Sequence, residues 1–515
     1  MRIESFWLTA AKRPERIAVI GPDGEDITAG DLLAAGNRIA HGLRALGVQP
    51  GDGVAFMLPN GREVLELLIA TMQIGVQLAP LSTGLSTDEI THILSDSGAK
   101  AFITHERFAD RTATAAVAAE LPESGRFAVG EVDGFASYAS LGQGESDARP
   151  EDRSPGAFMV YTSGTTGRAK GIVRALLKGD VDKISGYLSR QLAKFDIEPG
   201  GAGVHLCTSP LYHTAPIAYS WYTLHFEHTL VLMKKWDAED TLRLIDKHRV
   251  THSHMVPTQF HRLLRLPKKV RDQYDVSSLS NIIHAAAPCP VDTKHEMLAW
   301  WGPVIYEYYG ASEGGGTLVT PQEWLMYPGT VGRPWPGAEI RIYDGDGELC
   351  PTDEPGNVYM LLNGAFKYRG DDAKTQENRR GDFFTVGDVG YLNEDGYLFL
   401  CDRKIDMIIS GGVNIYPAEV EAALLSHPKV ADATVFGIPD EEWGEQVKAV
   451  VELVRGQTLG DSPEDTLRAH CTDKIAKFKV PKSIDFTEAL PRDPNGKLQK
   501  RKLRDPYWAD TAASI

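Results

Sequence analysis

The residues best equipped for chemistry gather in YTSGTTGRAKG, residues 161–171, where hydroxyls, glycines and one lysine follow an apolar run. Phe158, Met159, Val160 and Tyr161 read as the end of a buried strand. Gly164 and Gly167 free the chain to turn, so from Thr162 onward it leaves the strand as a loop whose backbone N–H groups can face an anion. Thr162, Ser163, Thr165 and Thr166 add hydroxyl donors or metal ligands, and Lys170 adds a mobile positive charge. This composition predicts a phosphate cradle. The spacing is not that of a Walker-type loop, which needs four residues between its first glycine and an adjacent Gly-Lys-Ser/Thr. Gly164 and Gly167 are too close together, and Lys170 is followed by Gly171, so a kinase-like or GTPase-like site is disfavoured. On composition alone, a Ser/Thr/Gly surface loop is the competing reading.

Further segments carry chemically loaded residues. YYGASEGGG, residues 308–316, sets Glu313 among glycines. Magnesium prefers oxygen ligands and sits between one or two protein oxygens and nucleotide phosphates, which makes Glu313 a sensible metal ligand. HAAAPCP, residues 284–290, offers small side chains past which backbone groups can approach a planar ring. Asp388 in TVGDVG can accept two hydroxyl donors at once, and Arg403 follows in CDRKID. Near the C-terminus PRDPNGKLQKRKLR places Lys497 after a Pro/Asn/Gly turn. Each has a bland alternative: a solvated glutamate in a turn, a buried strand end, a turn aspartate, a surface arginine, a solvated basic face.

Taken together, and over nearly the whole chain, these segments resemble the signature of the adenylate-forming enzymes: acyl-CoA synthetases, luciferases and the adenylation domains of peptide synthetases. The resemblance implies ATP, Mg2+ and coenzyme A as cofactor and co-substrates. It implies that Thr162, Ser163, Gly164, Thr165, Thr166, Gly167 and Lys170 grip the ATP phosphates, with Lys170 at the β/γ end, and that Glu313 and Thr162 hold magnesium. Ala286, Ala287 and Pro288 would border adenine and Tyr309 would stack on it, while Asp388 and Arg403 would serve the ribose. Lys497 would be the catalytic lysine, assisted by Glu313. A compact ammonium there can bridge the substrate carboxylate and the α-phosphate and offset charge in the transition state. His213, in PLYHTAP, with Ala285, Gly310 and Gly315 would line the acyl pocket. Gly411, Gly412, Trp443 and Phe478 would meet CoA. Three positions depart from the family pattern: Ser312 replaces the usual threonine, Ala169 replaces a proline of the phosphate loop, and Ile405 stands where an Asp or Lys hinge is usual. A β-branched hinge narrows the accessible backbone range, so biased domain rotation is expected.

The elements that must position these residues are legible in outline. A chain of 515 residues exceeds what one core usually serves. Helix-like and strand-like segments alternate, as in 32–46 followed by 54–58, and again at the apolar runs 229–233 and 281–287. The expected fold class is α/β, with a large N-terminal domain of αβ subdomains and a small α+β C-terminal lid. The boundaries are set at 1–402, a hinge at 403–405, and 406–515. Val389–Leu392 and Tyr397–Cys401 should form a hairpin about the turn 393–396. A helix should start at Pro417, put Val420 and Leu424 on one face, and stop at Pro428.

A net charge of −16 argues against a general nucleic-acid binder. Five scattered cysteines, none in C-x-x-C spacing, argue against a disulfide framework or zinc site, and His252 and His254 read as structural. No signal-peptide core or eighteen-residue apolar run is present, so a cytoplasmic location is expected, with a homodimer allowed. The implied activity is ATP-dependent acyl-CoA synthesis. No acidic residue lies between Pro210 and Tyr222 to hold an α-ammonium, which favours a plain carboxylic acid. Glycines 314–316 leave little bulk beside the pocket and favour a fatty or steroid-side-chain acid. An aryl acid competes because of Tyr219, Trp221, Tyr222 and His213. Transfer to a carrier protein or to oxygen, and non-enzymatic nucleotide binding, are the further alternatives.

Overall fold

The computed structural model describes residues 3–162, 170–311, 314–361, 366–368, 376, 378–403, 406–492 and 498–508, with the main chain only for Thr162, Lys170, 366–368 and Arg403. The chain divides into two compact units: Met1–Met255 with Pro267–Ile283 and Gly364–Glu377, and Val256–Leu266 with His284–Asn363 and Asn378–Ile515.

The first unit is an α/β layer structure. Six strands run parallel in the order Ala136–Ser137, Arg126–Val129, Ala99–His105, Gly53–Phe56, Gln77–Pro80, Ala157–Phe158. Gly53–Phe56 and Gln77–Pro80 are buried at every position, as strands covered on both faces by crossover helices must be. In a second set, His252–Met255, Val204–Cys207, Thr229–Leu232 and Ile17–Ile20 are parallel and Asp26–Thr28 closes the edge antiparallel. The helix expected over 32–46 spans Ala29–Ala45, because the Thr28 side chain caps it by accepting from the Asp31 N–H. Its face Leu32, Ile39, Leu43 packs into one core with Phe6, Trp7, Leu65 and Leu68.

The second unit is built mainly on antiparallel pairs, with Gly444–Leu453 and Ser483–Thr487 parallel. Asp388–Leu392 and Leu398–Arg403 form the expected hairpin, and the Asn393 side chain closes its turn by accepting from the Asp395 and Tyr397 N–H groups. The helix Pro417–Leu425 buries Val420 and Leu424 completely. These pack on the long hairpin Val430–Asp440 and Gly444–Leu453, with Leu467 and Ile484, in a small separate core. Among the described residues no helix is long and apolar enough to cross a membrane.

Candidate active site

The strand Asn281–His284, at whose last residue the second unit resumes, ends in a bend that buries Ala285 and leaves Ala286, Ala287 and Pro288 exposed. Ala286 has φ +75°, a left-handed conformation that costs a residue with a side chain about 1–2 kcal/mol. The bend therefore offers main-chain groups with no more bulk than a methyl. Ala286→Gly should leave thermal stability unchanged or raise it by up to about 1 kcal/mol, whereas Ala286→Val should cost about 2 kcal/mol or more. Identical melting of the two variants would refute the strain.

The strand Ile305–Ala311 carries Tyr309, whose hydroxyl donates to Asp388 Oδ2 at 2.6 Å. Asp388 opens its hairpin directly opposite Arg403. Residues expected at adenine and at ribose are thus joined by one hydrogen bond, and the two residues expected at ribose are register partners. Gly310 is exposed, and a Cβ on it would lie 3.2 Å from the Gly315 carbonyl oxygen, so these two residues expected at the acyl pocket are neighbours.

The space expected beside glycines 314–316 is not open. A Cβ at Gly315 would stand 2.7 Å from the Met360 Cβ, and one at Gly316 would run into the Trp335 ring. Both glycines have positive φ, +71° and +146°. They are needed for backbone conformation and close packing, and room for a bulky acyl group cannot be inferred from them.

Of the residues expected to meet CoA, Gly411 and Gly412 are exposed with φ +58° and +79°. The Gly411 N–H donates to the Trp443 carbonyl at 2.8 Å, and a side chain on Gly411 would collide with the indole. Trp443 remains 46% exposed, with the Lys482 ammonium 5.2 Å from its ring. Phe478, 56% exposed, lies on the separate turn Lys477–Lys479, next to the Lys479 ammonium.

In the first unit, Val160–Thr162 pairs antiparallel with Lys170–Arg174, and Thr162 is the register partner of Lys170. The phosphate loop is therefore flanked by a hairpin stem. Tyr161 anchors it by donating to Asp96 Oδ2 at 2.6 Å. His213 precedes the helix Thr214–His225 with its ring 4.5 Å from that of Tyr212. Further along the same helix Tyr219 lies 4.8 Å from the His254 ring. Ser163, Gly164, Thr165, Thr166, Gly167, Ala169, Ser312, Glu313, Ile405 and Lys497 lie outside the described residues, as do the side chains of Thr162, Lys170 and Arg403.

Two supporting clusters were not anticipated from sequence. Asp182 takes Arg149 at 2.6 Å, Arg153 at 2.8 Å and the Ser5 hydroxyl, tying the segment that enters the phosphate loop to the helix that follows it. Burial alone would raise the Asp182 carboxyl, but Ser5, Arg153 and Arg149 overcome this and hold it below the usual range. Two residues before Tyr309 on the same strand, Glu307 accepts from the fully buried Lys294 at 2.5 Å and lies 3.3 Å from His284 Nε2. Burial would raise Glu307 too, yet Lys294 and His284 bring it to about 2. A signal for Lys294 existed: it shares a helix face with the buried Met297, Leu298 and Trp301.

His205, His228 and His252 form a third buried group, with ring centroids 4.9 Å and 5.1 Å from His252. Among the described residues, no three His, Cys, Asp or Glu side chains are arranged to hold a metal ion. All five cysteines are free thiols.

Residues 6–367 match the family model of the AMP-binding enzyme, and residues 419–497 match that of the AMP-binding enzyme C-terminal domain. The chain belongs to this adenylate-forming family, and as an enzyme it falls among the acid–thiol ligases. It is 32% identical to the fatty acid–[acyl-carrier-protein] ligase ScoC of Streptomyces coeruleorubidus, over 96% of this chain and 94% of that one. It is 34% identical to the feruloyl-CoA synthase of an Amycolatopsis species, over 97% and 98%. Among solved structures, o-succinylbenzoate CoA synthetase from Bacillus subtilis with its acyl-adenylate intermediate superposes with a TM-score of 0.79, at 28% identity over 98% of this chain and 99% of that one.

Proposed function

We propose that the protein activates a carboxylic acid with ATP to an acyl-adenylate, releasing pyrophosphate, and then passes the acyl group to the thiol of coenzyme A, releasing AMP. The observation that carries this reading is the Tyr309–Asp388 hydrogen bond, with Asp388 paired in register to Arg403. A carboxylate fixed this way can accept from both ribose hydroxyls and hold the nucleotide for in-line attack. In the first step the substrate carboxylate attacks the α-phosphorus, while Lys497 and the loop 162–170 stabilise the developing charge. The donors available for magnesium, the Glu313 carboxylate and the Thr162 hydroxyl, are all oxygen, which suits that ion. It would neutralise phosphate charge there. In the second step the C-terminal domain turns about residues 403–405, withdrawing Lys497 and presenting the Gly411 loop to CoA.

The acid carries no α-amino group on this reading. With Gly315 and Gly316 closed by Met360 and Trp335, a fatty or steroid-side-chain acid loses its structural argument. The rings of Tyr212, His213, Tyr219 and His254 along one helix and its neighbours favour an aryl acid as a second reading. A pyrophosphate-exchange screen of dodecanoate, ferulate, 2-succinylbenzoate and a steroid side-chain acid, repeated with CoA and thioester detection, tests both. Exchange without thioester points to a carrier-protein acceptor. No exchange with any acid would overturn the enzyme reading.

A further inference from the structure

Arg265, just past the helix Pro257–Leu264, makes an unusual set of contacts for a cation in an acidic protein. Its Nη1 donates to the Pro428 carbonyl at 2.5 Å, and its Nη2 donates to Val430 at 2.7 Å and to Leu425 and His427 at 3.5 Å each. Among the described residues its hydrogen-bond partners are all main-chain carbonyls. These lie at and just beyond the end of the helix Pro417–Leu425, where unsatisfied carbonyls and the helix dipole both favour a cation. A guanidinium presents its donors in a fixed planar fork. Arg265 therefore recognises the shape of one turn, whatever side chains that turn carries.

The contact joins two family domains, because Arg265 falls within the segment 6–367 and its acceptors within 419–497, although all belong to one compact unit. The receiving turn is itself braced. Two residues after Val430, Asp432 takes both Nε and Nη2 of Arg492, at 2.5 and 2.7 Å. Arg492 in turn forms a backbone bridge with Leu498, the residue after Lys497. Polar contacts, joined across Val430 to Asp432 by two residues of main chain, thus lead from Arg265 to both ends of the segment that carries the expected catalytic lysine.

We propose that Arg265 is a positioning residue that latches the turn 425–430, and with it the base of the Lys497 segment, in one of two arrangements between which a two-step ligase alternates. This rests on the two-step reading above. Rotation about residues 403–405 carries the turn away from Arg265, so all four hydrogen bonds break as a set. The strength of the latch then sets the ratio of the two half-reactions.

The test compares full-length wild type with Arg265→Ala and Arg265→Lys, after confirming that all three melt within a few degrees of each other. Amide hydrogen exchange without substrate should be faster over residues 257–266 and 419–432 in Arg265→Ala, and unchanged exchange there overturns the latch. Pyrophosphate exchange is then measured against thioester formation from supplied dodecanoyl- or feruloyl-adenylate. The ratio of the two rates should change by about tenfold, the equivalent of one hydrogen bond to a charged donor. Arg265→Lys, which keeps the charge but lacks the fork, should behave like the alanine variant. Equal loss in both half-reactions, or full rescue by lysine, overturns the positioning role. If wild type shows no pyrophosphate exchange with any acid, the enzymatic reading falls, and amide exchange still judges the latch by itself.

Discussion

Lys497→Ala is expected to slow acid-dependent ATP–pyrophosphate exchange by about 10²–10³-fold while leaving thioester formation from supplied acyl-adenylate within a few-fold of wild type. In the first half-reaction an anionic carboxylate must approach an anionic phosphate. A single ammonium shared between them acts where negative charge concentrates as the pentacoordinate species forms, and loss of one such preorganised donor typically costs about 3–4 kcal/mol of transition-state stabilisation. In the second half-reaction the carbonyl is already activated by its AMP leaving group, and the attacking thiol has no need of that cation. Rapid-quench measurement of each half-reaction separates these cases. Equal loss in both would remove Lys497 from the reacting centre. Among the described residues the C-terminal core is built on apolar side chains such as Val420, Leu424, Val435 and Val451, so the unfolding temperature of Lys497→Ala should stay close to that of wild type.

Acidification is expected to unfold the first unit well above the pH at which carboxylates are protonated. His205 on the strand Val204–Cys207 and His225 at the end of the helix Thr214–His225 are both essentially buried, at 1% exposure. Burial pushes each imidazole down to about 3, with His254 and His228 adding to the effect at His205 and Asp182 opposing it at His225. His252 and His228 are lowered for the same reason. A histidine in the unfolded chain binds its proton near pH 6.5, so between pH 6.5 and 3 the unfolded chain holds more protons and stability must fall as pH falls. The full contribution is present above pH 6.5. By pH 5, His205 and His225 have each withdrawn about 2 kcal/mol, a large part of the 5–15 kcal/mol typical of a folded domain. The first thermal transition should drop steeply from pH 7 to pH 5, and His205→Gln should flatten that slope. A transition temperature constant across this range would show that the cluster does not govern acid stability.

The parts of the molecule that could be read in advance are those encoded by neighbours in sequence. The turn Asn393–Gly396 announces its hairpin through residues that bond to their own backbone, and Pro417 and Pro428 bracket a helix because one suits a first turn and the other cannot continue one. Tyr309 and Asp388 were both anticipated as nucleotide ligands, but not the hydrogen bond between them, since no spacing rule relates a strand residue to a hairpin far along the chain. Gly315 and Gly316 misled for a related reason. A glycine states that a side chain is missing and not which neighbour fills the gap, and here Met360 and Trp335 do. His205, His228 and His252 come from separate elements of the first unit, so only their placement side by side reveals that they share a fate on acidification. Nothing in the sequence singles out Arg265, because its partners are main-chain carbonyls, which every residue has.

The hairpin Asp388–Leu392 and Leu398–Arg403 has a bearing on how this protein could be recombined with others of its kind. Its two strands are one hydrogen-bonded object, with Asp388 at one corner and Arg403 at the adjoining one. A hybrid spliced at the turn 393–396 would take these corners from different parents and, on the proposed ribose role of the pair, stake nucleotide retention on an untested pairing. A junction placed after Arg403 inherits the pair intact. The turn is the tempting place to cut, being exposed and polar, but the sound seam lies a strand's length further on.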